Sequence, residues 1–151
     1  MLKTQHFKFF AAFLLFFTAC LTSKPVPIQF GSESCDHCKM TITDRRFGGE
    51  LVTPKGKIYR FDSLECLKEF ESKHASEKFS VFVMDSTDQG NLISAKDAYF
   101  YIAENLRSPM GKGVLVSQRP EKLQDLVHTL TQEKAGQFLR WEETVSKLSR
   151  F

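Results

Sequence analysis

Apolar residues fall along the chain in short blocks, and their spacing alternates between strand and helix periods. Leu51-Val52 and Ile58-Tyr59-Arg60-Phe61 flank Pro54-Lys55-Gly56. Two strand-like runs around turn-forming residues predict a hairpin. Ile58, Tyr59 and Phe61 do not alternate strictly with polar residues, which predicts a second strand buried on more than one side. Asp62-Ser63-Leu64-Glu65 follows as a capping box, with a short acceptor at the N-cap and Glu three residues on. Leu64, Leu67 and Phe70 then recur at helical spacing, which predicts a helix over about 63–73. Cys66 lies beside them as a small buried hydrophobe.

Further on, 79–84 (FSVFVM) has strand composition. Leu92-Ile93 opens an extended piece that runs through 98–102, 108–113 is a loop, and 114–116 is a short strand. Pro120 suits the first turn of a helix whose apolar face is Leu123, Leu126, Val127 and Leu130. Residues 56–62 (GKIYRFD) resemble 136–142 (GQFLRWE), and 50–53 resemble 114–117. This internal likeness predicts two strand–strand–helix units, the second with an extra helix between its strands. The expected class is α+β, an antiparallel sheet with helices on one face.

The first twenty residues depart from this pattern. Lys3 and Lys8 give a basic start, and 9–17 is an unbroken apolar run. The run is short for a membrane span and has the layout of a secretory signal. It ends Phe17-Thr18-Ala19-Cys20, small residues before a Cys, as in a bacterial lipobox. The expected organisation is a lipoprotein-type signal at 1–19, a lipidated Cys20 with a tether over 20–34, and one domain over 35–151. Acyl chains contribute about 0.8 kcal/mol per buried methylene, so such a Cys would hold the chain on a membrane surface. The expected location is a cell-membrane or outer-membrane lipoprotein on the periplasmic or other extracytoplasmic side.

Location changes how composition is weighed. Six of the fifteen Phe lie in the leader, so the remainder is not unusually aromatic. Of 21 Lys and Arg, two are leader residues, leaving nineteen against eighteen Asp and Glu. A nearly neutral body offers no electrostatic footprint for nucleic acid.

The distinctive chemistry is sulfur. Cys35-Asp36-His37-Cys38-Lys39-Met40 places two thiols, an imidazole and a thioether within six residues, and Met110 sits in a Ser-Pro-Met-Gly loop. Both Met residues precede strands of the inferred units, so the two loops are expected to converge and gather Cys38, Met40 and Met110. Thiolate and thioether donors suit Cu(I). Zinc sites use Cys, His and carboxylate, and hard cations want oxygen. Cys35 and His37 are further candidate ligands. Met84 reads as core, and His74 and His128 as solvated helix residues. Other readings stay open. Cys35 and Cys38 suit thiol–disulfide exchange, although no βαβ context surrounds them. They also suit structural zinc with His37 or Cys66, or a structural role in a non-catalytic interaction lipoprotein.

Taken together, the motifs resemble the NosL copper-chaperone lipoproteins, accessory factors for nitrous oxide reductase assembly. The resemblance runs from Cys35 to about Val145. It includes the lipobox-like leader, Cys35-x-x-Cys38-x-Met40, the Asp44 neighbourhood, Gly56-Lys57-Ile58-Tyr59-Arg60-Phe61-Asp62 with Cys66, 93–100 and Ser108-Pro109-Met110-Gly111. It implies a fold of two ββα-type units and a non-enzymatic role: binding Cu(I) outside the cytoplasm and passing it to an apo-cuproenzyme such as nitrous oxide reductase. The ligands it implies are Cys38, Met40 and Met110. Lys39 departs from the family, which usually has Gly there.

Overall fold

A computed structural model describes residues 24–148. The predicted hairpin forms: β1 (Gly49–Val52) pairs antiparallel with β2 (Ile58–Phe61), Gly49 opposite Phe61 and Val52 opposite Ile58. Gly48 sets up this pairing with φ +90°, where a Cβ would collide with the Phe61 carbonyl. Helix α1 (Leu64–Lys73) follows, and β3 (Ser80–Met84) returns antiparallel to the other side of β1. Short β4 (Leu92–Ser94) completes a sheet of order β2-β1-β3-β4.

The extended piece expected from residue 92 onward is broken by a 3-10 turn at Ala95–Asp97. The break is needed because the next strand belongs to another sheet. There β5 (Tyr99–Ile102) pairs with β6 (Val114–Ser117), Tyr99 opposite Ser117 and Ile102 opposite Val114. Helix α2 (Pro120–Thr131) follows β6, and Leu139 then forms an antiparallel bridge with Phe100 on β5. Helix α3 (Trp141–Leu148) closes the described chain.

The fold is thus α+β with two related units, but their phase differs from the internal likeness. Each unit is strand, strand, helix, returning strand: β1-β2-α1-β3, then β5-β6-α2 and the single bridge at Leu139. Residues 114–117 therefore correspond to β2, not to 50–53. The expected strand near 138 shrinks to Leu139, because α3 begins two residues later. The phase was misjudged because a turn-aromatic-helix likeness is local, whereas strand pairing is set by distant backbone partners.

Burial also departs from expectation at β2, which is an edge strand with only Phe61 fully buried, while β1 and β6 are buried throughout. Phe61, Leu67, Val83 and Phe100 pack one core, which also contains Cys35 and Cys66. A second core joins Phe47 and Leu115 to Leu123 and Val127 of α2, with Leu126 and Leu130 at its edge. Each fully buried Leu or Phe contributes about 1.5–3 kcal/mol.

The packed body begins before Cys35. Ile28 is in the first core, the Val26 amide donates to Glu50 Oε2 at 3.0 Å, and Ser34 bridges Thr41. Residues 26–34 are hence part of the domain rather than tether, because Ile28 and the Val26 amide have buried partners. The leader and Cys20 lie outside the described residues. Among the described residues no helix is long and apolar enough to cross a membrane.

Candidate metal centre

The cysteine motif forms a tight turn. The Lys39 amide donates to the Cys35 carbonyl at 3.0 Å, and the Cys35 amide to the Met40 carbonyl at 2.8 Å. Closing the turn places Lys39 at φ +66°, which costs a side-chain-bearing residue about 1 kcal/mol. This is a backbone reason for glycine at that position. The Lys39 ammonium donates to the Asp36 carbonyl at 2.6 Å. Asp36 pins the turn to β2: its amide donates to the Arg60 carbonyl and its Oδ2 accepts the Arg60 amide, both at 2.8 Å.

That anchoring sets the turn against the start of α1. Ser63 is the N-cap, its hydroxyl accepting the Cys66 amide at 3.1 Å. The expected capping box does not form: the cap lies one residue later than Asp62, and Glu65 Oε1 accepts the Lys112 amide instead. Asp62, freed from capping, accepts the Cys38 thiol through Oδ2 at 3.3 Å. Its Oδ1 is buried and finds no hydrogen-bond partner among the described residues. Ligand atoms of Cys35, Cys38, Asp62 and Cys66 all lie within 4.8 Å of one another. The three cysteines are free thiols.

Their protonation is uneven. The Cys66 thiol donates to Cys35 and, opposing the cost of burial, lowers the Cys35 thiol to about 6; amides of Asp62, Cys38 and His37 assist. The same hydrogen bond pushes Cys66 far up, with burial adding to it. Cys38 is raised, chiefly by burial, against an opposing Met40 amide. Thiolate character therefore sits on the deepest sulfur, while the half-buried Cys38 is protonated and oriented by Asp62.

Of the sequence-derived ligands, Cys35 and Cys38 belong to this cluster, and His37, Met40 and Met110 do not. His37 instead pairs through Nε2 with Glu69 at 2.9 Å on α1. Met40 and Met110 are 49% and 44% exposed, two of the three exposed large hydrophobic residues among those described. Ser108 Oγ organises the Met110 loop by accepting the amides of Gly111 and Gly113 at 3.0 and 2.9 Å. The loop docks on the first turn of α1, where the Lys112 amide donates to Glu65 Oε1 at 2.9 Å. The cysteine turn and the Met110 loop thus touch the same helix turn, one residue apart at Glu65 and Cys66. Cys66, which the pattern read as a small buried hydrophobe and as a ligand only in the zinc reading, lies in the cluster. Its place just after a strand and a Ser cap, opposite an earlier Cys-x-x-Cys, is the signal that could have found it.

Comparison with known proteins now decides the family. The NosL family model matches residues 25–148. The chain belongs to the NosL family. A solved NosL-family relative, the crystal structure of the copper chaperone NosL from Shewanella denitrificans, superposes with a TM-score of 0.63 at 22% sequence identity. The match covers 80% of this chain and 95% of that one, and shows a shared NosL fold. No match is found among curated proteins.

Proposed function

We propose that the protein is a membrane-anchored, extracytoplasmic Cu(I) metallochaperone. Cys38, Met40 and Met110 take the ion at the surface and surrender it to an apo-cuproenzyme of the nitrous oxide reductase kind. The observation that carries this reading is the gathering of three free cysteine sulfurs and Asp62 at one helix turn, with an exposed thioether on either flanking loop. Soft donors select a soft monovalent ion. Thioethers bind without releasing a proton, so two of the three surface ligands are ready at any pH. Cargo must also leave, and exposed thioethers offer a client's ligands a path for stepwise exchange. Family membership and the likeness to a protein named as a copper chaperone support the same cargo.

The anchor in this reading is lipid on Cys20 after removal of 1–19. The protein acts without turnover. Thiol–disulfide exchange fits less well, because the reachable thiol, Cys38, is raised while the thiolate-like Cys35 is fully buried.

The test is anaerobic competition for Cu(I) between the reduced full chain in detergent and a chromophoric Cu(I) chelator. Roughly equimolar binding is expected. Cys38→Ser should weaken it, and Met40→Leu with Met110→Leu should weaken it and slow release to the chelator. Unchanged affinity and release in the methionine double variant would reject the thioether ligands.

A further inference from the structure

Cys35 and Cys66 have no part in the surface ligand set, yet the fold positions both with care. Both are buried among core residues, Cys35 at 0% and Cys66 at 1% exposure. The Cys35 and Cys66 sulfurs lie within 4.8 Å of each other and of the Cys38 sulfur and an Asp62 carboxylate oxygen. Cys66 lies in the first turn of α1, where the helix dipole favours negative charge. Metal–sulfur bonds of about 2.3 Å put three trigonal sulfurs about 4 Å apart. The observed span of at most 4.8 Å closes to that with small side-chain movements. Asp62 Oδ1, buried and unpartnered, is a second sign that the cluster is built for an additional charged occupant.

We propose that Cys35, Cys66 and Cys38 form an inner, all-sulfur position for the same Cu(I) ion, with Cys38 shared between this holding set and the surface set of Met40 and Met110. The inference rests on the chaperone reading for the identity of the ion. Moving from the surface set to the inner one exchanges two thioethers for the Cys35 and Cys66 sulfurs while the bond to Cys38 is kept. The ion is never released to water, and its oxidation state does not change. Cys38 has already lost its proton in the surface set; any thiol proton on Cys35 or Cys66 passes to solvent as its sulfur replaces a thioether. Reversing the exchange presents the ion at the exposed thioethers, where a client can reach it.

The experiment uses the full chain, reduced, anaerobic and loaded with one equivalent of Cu(I). X-ray absorption at the copper edge is recorded for wild type and for Met40→Leu with Met110→Leu. The chelator competition is repeated for Cys35→Ser and Cys66→Ala. The methionine double variant should keep a copper shell made only of sulfur. Each cysteine variant should lose at least about tenfold in affinity, the lower bound for disturbing a metal's immediate surroundings. Circular dichroism checks folding. If Cys66→Ala does not fold, Cys35→Ser in the turn before β1 and the sulfur shell of the methionine variant decide the matter. Folded cysteine variants with wild-type affinity, or loss of the all-sulfur shell with the methionines, would overturn the inner position and leave the surface site standing. Preferential retention of zinc when both ions are offered would also overturn it. Failure of wild type to take up Cu(I) at all would sink the chaperone reading itself.

Discussion

Replacing Arg60 by Leu removes the guanidinium nitrogen that stands 3.1 Å from Glu50 Oε1 and 3.2 Å from Glu33 Oε2. Glu33 is partly exposed and can relax into water. Glu50 cannot, because its side chain has 0% exposure and keeps only the Val26 amide at 3.0 Å. Breaking a buried pair by removing one partner costs about 3–5 kcal/mol. Water already reaches the Arg60 side chain, which is 23% exposed, so the low end, about 3 kcal/mol, is expected near neutral pH. The loss should depend on pH. Burial raises the Glu50 carboxyl above its ordinary value, and the Val26 amide and Arg60 pull it back. Without Arg60 the folded-state value rises further. A raised folded value means that the folded state holds the carboxyl proton more tightly than the unfolded chain does. The penalty is therefore relieved below the unfolded value and grows as pH rises through the folded one. Urea unfolding followed by fluorescence of Trp141, the only tryptophan, at about pH 4 and about pH 8 reads both effects. A loss under about 1 kcal/mol at the higher pH, or the same loss at both, would refute this account of the buried pair.

Two further perturbations test local supports of the fold. Ser63→Ala removes the hydroxyl that caps α1 through the Cys66 amide; urea melts should show a loss of about 1 kcal/mol, and an unchanged midpoint would argue against the cap. Asp44 accepts the Arg46 amide, Nε and Nη2 at 3.0, 2.9 and 2.6 Å, and these hydrogen bonds hold its carboxyl below the ordinary range. A depressed folded value contributes stability above the unfolded value, and this is lost as pH falls through the folded one. Asp44→Asn should cost about 1 kcal/mol at neutral pH and nothing in strong acid, so parallel stability curves for variant and wild type would contradict it.

The hairpin at 49–61, α1 and α2 were legible in the sequence because their signals are local: a turn between apolar runs, a cap, a 3.6-residue stripe. The pairing of β6 with β5 and the reduction of the returning strand to Leu139 were not, since both depend on backbone groups far away in the chain. At the site, Cys35, Cys38 and Met40 stood out through their spacing and Met110 through its exposed Pro-Gly loop. Cys66 did not, because a cysteine on the apolar face of a helix carries the same periodic signature whether it belongs to a sulfur cluster or only to the core. Ile28 was hidden in the same way, a lone apolar residue among prolines that reads as linker until its buried partners are seen. Lys39 shows the converse: the resemblance marks it as a departure from glycine, and the backbone angle of φ +66° gives the physical reason.

The central claim, that Cys38 holds copper at the meeting of the two loops, is tested most directly by locating the ion. Crystals of the reduced chain loaded anaerobically with Cu(I) should give an anomalous copper peak within about 2.3 Å of Cys38 Sγ, a metal–thiolate bond length. A copper peak bonded elsewhere, with Cys38 still donating to Asp62, would contradict the account.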